Sequence, residues 1–588
     1  MRDEASRQVR RQSGRRTVCG RLAAAICLAG LLVGNAVLAQ QASAVVRPPL
    51  TVGEIEIRTD PIFRDDELEG SPWTLQFVHR TMNALHVDTR QWVIRQELLL
   101  EPGDAVSAER LAETERALRS LGFLTHVRVA AVDTAADGRV KILVSAREAW
   151  TLQASFGYSR ASSGDQRWNV FLAERNFLGL GTTLGAGIGA DEHRSYWNGW
   201  IRQRRLFGSK LVLALDYAQR DDGHFGSVYL SRPFYALSDR FGLDVIAWEN
   251  VIDTRYYLSN AGPAGRDPSR EASLYATIPY RETVAEGRCQ FRIAGRDSGR
   301  VWRLGAGARL TDRDFRLDRP PYEVSDGTWQ DLGWLLEPGQ PLTREHGLRV
   351  FPFVWLYSEG RRWARARFVH QYGPDEDLSL FWTVDAKIGL TGKAVGSTAG
   401  TGSPLRAECR LTRWYQAAGG YIALIIDAEA EAGSREDAYH RLNVNGGWVG
   451  QAGSENAPWL TRVFAEVGHG SRLTGTQAFK LGLDRGLRTL EYDGMAGDRL
   501  LRWNLEQGKV LPTELLGLFR MGLAAFYDGG LARWRDETRR LPAARHEVGL
   551  GLRFGPTRSA NAEITRLDVT WDLGGGGPVF TAITRGFF

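Results

Sequence analysis

The chain has 588 residues, among them 66 Gly and 19 Trp, with a formal net charge of +6 and a mean hydropathy of −0.29. Seven Arg against Asp3 and Glu4 place +5 of that charge in the first 44 residues, so the remainder carries +1 and nothing in the balance points to nucleic acid. Past residue 44 only Cys289 and Cys409 remain, too few for a disulfide scaffold, and no apolar run there approaches the ~18 residues that a spanning helix needs.

Residues 1–44 read as a secretory signal peptide. Arg7, Arg10, Arg11, Arg15, Arg16 and Arg21 form a basic head ahead of the apolar run Leu22 to Val33. Small residues follow, with Val37/Ala39 or Ala42/Ala44 as cleavage positions. Residues 45–150 are expected to form a compact α+β domain in the order β-α-α-β-β. "VGEIEI" alternates as a strand and "QWVIRQELLL" is helical. "SAERLAETERALRSLG" is a second helix with Ser107 as its N-cap and Gly122 at its end. "FLTHVRVAAVD" and "VKILVSARE" then flank a turn as a hairpin. The stretch Arg64 to Asp88 is longer than such a domain requires, and the sequence assigns it no role.

From Thr151 to Phe588 the helical rhythm gives way to alternation. "LVLALDY" sets Leu211, Leu213, Leu215 and Tyr217 on one face. "LSLFWTVDAKIGL" opposes Leu380, Trp382, Val384, Ala386 and Ile388 to Thr383, Asp385 and Lys387, and "YIALIIDAEAEAG" turns Asp427, Glu429 and Glu431 to a single side. Segments of about 10 residues with aromatics near their ends are the pattern of an all-β transmembrane barrel, which hides its hydrophobicity in alternation. Dividing 151–588 by about 27 residues per strand and connection predicts about 16 antiparallel strands, with short turns at the periplasmic end and long polar loops outside. The chain closes with "VFTAITRGFF", a last strand whose terminal aromatic, Phe588, serves as an assembly signal.

These residues carry a resemblance. A signal peptide, an α+β module and a C-terminal barrel are together similar to the outer-membrane assembly superfamily of BamA, TamA and the two-partner secretion transporters. The segment "LLLEPGDAVSAERLAETERALRSLGFLTHVRV" resembles a POTRA domain, and "AERNFLGLGTTL" resembles the family's first barrel hairpin. In that family a long loop between the eleventh and twelfth strands folds back into the lumen and carries an Arg-Gly-aromatic tip. "GLRTLEYDGMAGDR" is similar to it, with Gly486 at its start and Arg488 at the arginine position, although Thr489 and Leu490 stand where the Gly and the aromatic would be. "GDRLLRWNLEQ" matches the strand that follows through Asp498 and Arg499, and "AAFYDGG" matches the next through Phe526, Asp528 and Gly530. The resemblance implies that Arg488 anchors the loop to Asp528, with Glu506 as second acceptor, because a guanidinium fork can meet a carboxylate at two points.

No enzyme motif competes with this reading. "GAGIGA" lies on an alternating strand rather than before a helix, no G-x-S-x-G elbow occurs, and "DEH" (191–193) and "DDGH" (221–224) read as loop polarity rather than metal sites. The expectation is a non-enzymatic outer-membrane protein, needing no cofactor, with its N-terminal domain in the periplasm. Its partners would be client outer-membrane or secreted polypeptides, the lipid bilayer and accessory periplasmic proteins. A passive channel or structural barrel with a periplasmic adaptor is the alternative.

Overall fold

The computed structural model describes residues 50–584 except 71, 161–165, 192–193, 258–274, 296–298, 318, 325–326, 338–340, 374, 400–403, 418, 434–437, 475, 484, 491–493, 536–543 and 561–562. The proposed signal peptide and Phe588 lie outside the described residues.

The N-terminal unit runs β1 (Thr51–Asp60), α1 (Asp65–Glu69), α2 (Trp73–Leu85), α3 (Gln91–Gln96), α4 (Ala108–Arg119), β2 (Leu124–Thr134) and β3 (Arg139–Glu148). Its sheet has the order β1-β3-β2, with β1 parallel to β3 and β2 antiparallel to it. Ile142, Val144 and Val129 from the sheet pack on Leu118 of α4 and Ile94 of α3 in one apolar core. Ser107 caps α4 by accepting from the Arg110 N–H at 3.2 Å, and Gly122, at φ +81°, releases the chain into β2. The stretch from Arg64 to Asp88 is occupied by α1 and α2.

The rest of the described chain forms one closed antiparallel cylinder, from a first strand at Leu152–Arg160 to a last at Val579–Thr584. Below, its near rim is the one on which the N-terminal unit sits, and its far rim is the opposite one. Its surface is inverted relative to a water-soluble protein. On the sixteenth strand, Arg499–Leu515, Leu501 and Leu505 are exposed while Glu506 between later outward positions is buried. The same holds around the wall, where Val170, Ile188, Val245, Leu304, Val354, Leu523, Leu550 and Leu567 are exposed and Glu286, Lys387, Glu431, Arg462, Asp528 and Arg553 are buried. Apolar residues outside and charge within are what a hydrocarbon surround stabilises. Among the described residues, no helix is long and apolar enough to cross a membrane.

Three sequence expectations are corrected. The cylinder has 20 strands, not about 16. The first six strands fit between Leu152 and Arg232, and Arg220 and Gly223 are separated by two residues only, so the spacing assumed per strand was far too long. "LSLFWTVDAKIGL" is not one strand: the wall strand begins at Thr383, and Leu378 belongs to a hairpin pairing Trp363–Ala366 with Glu376–Ser379. That hairpin sits in the 361–382 connection at the near rim, where only short turns were expected. "NFLGLG" joins the second strand to the third rather than closing the first hairpin. Cys289 and Cys409 lie on separate strands without a disulfide.

Candidate functional site

The site lies inside the cylinder, where the loop 472–498 returns from the far rim between the fifteenth strand, Ala457–Ser471, and the sixteenth. The loop carries its own short hairpin, Phe479–Leu481 with Met495–Gly497. Its apolar side chains Leu473, Phe479, Leu481, Leu487 and Ala496 pack with Leu500, Ala532 and Trp534 of the wall and its margin. Gly530 makes this close approach possible, because a Cβ there would stand 2.7 Å from the Leu481 side chain. Gly486, at φ +99°, turns the chain, and the Asn504 amide donates to its carbonyl at 3.1 Å. Leu487 is thereby buried in the loop's core while Arg488 is turned toward inward carboxylates of the adjoining wall.

Arg488 spans two carboxylates on different strands. Its Nε lies 3.2 Å from Asp528 on the seventeenth strand, Phe519–Arg533, and its Nη1 lies 2.9 Å from Asp568 on the nineteenth, Thr565–Asp572. The guanidinium stacks 3.5 Å from the ring centre of Phe526, which places the cation over the aromatic face. Glu547, on the eighteenth strand, Arg545–Pro556, accepts the Arg488 N–H at 2.7 Å and the Thr489 N–H at 2.8 Å, and the Thr489 hydroxyl donates to it as well. Thus Thr489 fastens the tip through its own side chain at the position where the resembling pattern has Gly.

Glu506 is not the second acceptor of Arg488, and this expectation is corrected. In the antiparallel register Asn504 stands opposite Asp528, whereas Glu506 stands opposite Phe526, two residues or roughly 7 Å further along the strand. Glu506 instead accepts from Arg462 at 2.9 Å and from Arg553 at 2.6 and 3.2 Å. Arg553 also reaches Asp568, so Arg488, Asp568, Arg553, Glu506 and Arg462 form one alternating chain of charge along the inner wall, from the nineteenth strand to the fifteenth. Asp498 and Arg499 lie away from the tip. Asp498 accepts the Arg535 N–H at 2.9 Å, and its carbonyl and that of Gly470 accept from Arg499, closing the base of the loop.

The charge chain ends on the other filling of the bore. Arg462 donates to the carbonyl of Phe368 at 3.3 Å, and Phe368 and Tyr372 pack with Leu460, Val510 and Ile564 inside the near rim. This 361–382 segment is held by Glu376, which accepts the N–H groups of Val369 at 3.0 Å, His370 at 3.0 Å and Gln371 at 3.4 Å. Outside, it meets α4: Arg119 donates to both oxygens of Asp377 at 2.9 to 3.0 Å, and Arg365 pairs with Glu115. Sequence reasoning missed Asp568, Glu547, Arg553 and Arg462. The alternation would have found them as charges sharing a face with buried positions, between outward Leu550, Leu552 and Leu567. Which inward positions on nearby strands stand level with one another is not written in alternation.

No known family profile and no curated protein matches the chain. Among solved structures, it is similar to CdiB from Escherichia coli at 11% identity and a TM-score of 0.42, covering 98% of both chains. CdiB from Acinetobacter baumannii aligns at 11% identity and a TM-score of 0.39 over 97% of this chain and 98% of that one. BamA from Haemophilus ducreyi lacking POTRA domains 1-3 aligns at 13% and 0.36 over 85% and 82%.

Proposed function

We propose that the protein is an outer-membrane insertion or translocation factor, in which a periplasmic POTRA-like unit (45–150) receives a polypeptide and the barrel (151–588) passes it into or across the membrane. The observation that carries this reading is the seam between the first and last strands. Among the described residues it is joined at two positions, Tyr158 with Ala582 and Ser159 with Thr581, whereas the sixteenth and seventeenth strands are paired at 14. A wall with so short a ladder parts there first, because the strand ladder is what opposes separation. β1 is an edge strand of its sheet, bound at its start by Gly103 to Val106 and available from Glu54 to Asp60 for strand addition. Arg488, held by Asp528 and Asp568, keeps the loop seated against the seventeenth to nineteenth strands, which lead up to the last one.

The test locks the seam. With Cys289→Ser and Cys409→Ser as background, Tyr158→Cys and Ala582→Cys face each other in an antiparallel pair, within the spacing a disulfide tolerates. Oxidation is expected to abolish recovery of client proteins in the outer-membrane proteome, and reductant to restore it. An unchanged proteome under lock and under depletion, with altered small-solute uptake, would overturn the reading in favour of a passive channel.

A further inference from the structure

Helix α2 turns three large apolar side chains outward and a histidine and an asparagine inward. Its inward face mixes polar and apolar groups: Met82 packs on Ile62, Phe63 and Leu68, His79 stacks on Phe63 with ring centres 3.8 Å apart and its Nε2 meets the Leu516 carbonyl at 2.9 Å, while Asn83 donates to the Phe63 carbonyl at 2.7 Å. The outward face is apolar, with Trp73 79%, Phe77 70% and Leu85 70% exposed. In water this arrangement leaves Trp73 and Phe77 exposed one turn apart, with Leu85 beyond Thr81 on the same side, a grouping that soluble surfaces avoid. The barrel wall shows the same inversion, and the helix is fastened to its lower margin. Leu516 stands in the near-rim turn between the sixteenth and seventeenth strands, and Leu515, Leu516 and Phe519 beside it are exposed at the end of the apolar outer band. A Cβ on Gly517 would stand 3.1 Å from His79, so nothing separates helix and rim.

The exposed apolar grouping resumes across the seam. The N–H of Arg90, which leads into α3, donates to Gly179 at 3.1 Å in the turn between the second and third strands, where Trp92 and Leu178 are both exposed. The α2–α3 segment therefore runs from turn to turn beneath the first and last strands. Exposed Arg80 lies beside the apolar residues, whereas the α1 end is acidic, with Arg64 on Asp66 next to Asp65 and Glu69, so the contact with lipid rests on apolar side chains rather than on headgroup charge.

We propose that α2 is an interfacial helix, lying in the headgroup–acyl boundary of the leaflet at the near rim with Trp73, Phe77 and Leu85 in lipid. It tethers the N-terminal unit to the bilayer directly under the seam. The occupant of the face is lipid because the face continues a surface that is itself lipid-facing. The inference rests on the barrel being embedded as proposed above, and the experiment separates the two.

The full chain carrying C289S and C409S is labelled with an environment-sensitive fluorophore at F77C, at E101C on the exposed turn of the N-terminal unit, or at L567C on the barrel exterior. Each is reconstituted in phosphatidylethanolamine–phosphatidylglycerol vesicles with nitroxide on the acyl chains. The Phe77 label is expected to be quenched by the nitroxide as the Leu567 label is, and to be shielded from aqueous iodide several-fold relative to Glu101. Iodide quenching at Phe77 equal to that at Glu101 would overturn the proposal by placing the face in water. Shielding from both quenchers would overturn it by showing protein over the face. Absence of nitroxide quenching at Leu567 would overturn the embedded barrel itself, and the helix with it.

Discussion

At the scale of single residues, Arg488 and Glu506 share one charge chain but answer to different demands. Glu506 is buried with Arg462 on one oxygen and Arg553 on the other, so removing it takes the carboxylate from buried Arg462 and leaves Arg553 with Asp568 alone. Breaking a buried pair from one side costs about 3–5 kcal/mol. Glu506→Ala is therefore expected to lower the temperature at which the barrel loses its compact, heat-modifiable form on a gel. Arg488 lies on a loop, and its removal frees Asp528 and Asp568 while Arg553 still faces the latter. Arg488→Ala leaves buried Asp528 without its cation and is expected to lower the melting temperature less than Glu506→Ala does, and to reduce client insertion, as is Asp528→Ala to a smaller degree. Native activity in both variants would remove the loop anchor from the mechanism, and equal melting of Glu506→Ala and the native chain would remove the structural role of the acid. The sequence pointed to Arg488 and Asp528 through pattern, yet it misassigned Glu506. Two inward positions on neighbouring strands look alike until register decides which of them meets the tip.

Among the elements, the 361–382 segment behaves unlike an ordinary turn. Its fold depends on Glu376 receiving three N–H groups, and burial pushes that carboxyl up from 4.5 to about 7, against the pull of those same donors. An acid raised in the native form favours that form when protonated. Its contribution is complete below about pH 4.5 and is lost as pH rises past about 7. Hydrogen exchange of residues 363–379, corrected for intrinsic rates, is expected to show greater protection at pH 5.5 than at pH 8.5, and Glu376→Gln is expected to flatten the difference. Equal protection at both values, or an undiminished difference in the variant, would exclude Glu376 as the titrating group. The segment was illegible in the sequence for a physical reason: Leu378, Leu380 and Trp382 continue the alternation of the following strand without a break. By contrast α4 was legible because its cap, its apolar face and its terminating glycine all lie within 16 residues of sequence, Ser107 to Gly122.

For the whole molecule, the bore is filled from both ends, by the 472–498 loop and by the 361–382 segment. In planar bilayers the purified protein is expected to pass little current, and deletion of 474–494 is expected to raise the conductance several-fold. High conductance in the intact chain would support the channel. The 20 strands place the loop between the fifteenth and sixteenth, which are the sixth and fifth from the end, as the eleventh and twelfth are in a cylinder of 16. Closure and antiparallel pairing were readable from alternation, but the circumference was not, since it depends on turn lengths that alternation leaves unset.

The inverted surface also governs how such a chain can come to exist. The outward leucines, valines and isoleucines of the wall point away from each other, and the apolar clusters inside, around Leu481 and around Leu460, do not gather them. Collapse in the usual sense is closed to those outward side chains. The strands reach their final pairing only as they meet hydrocarbon, and until then an escort must keep them apart, which makes a factor of this design dependent, for its own birth, on the kind of service it is proposed to render.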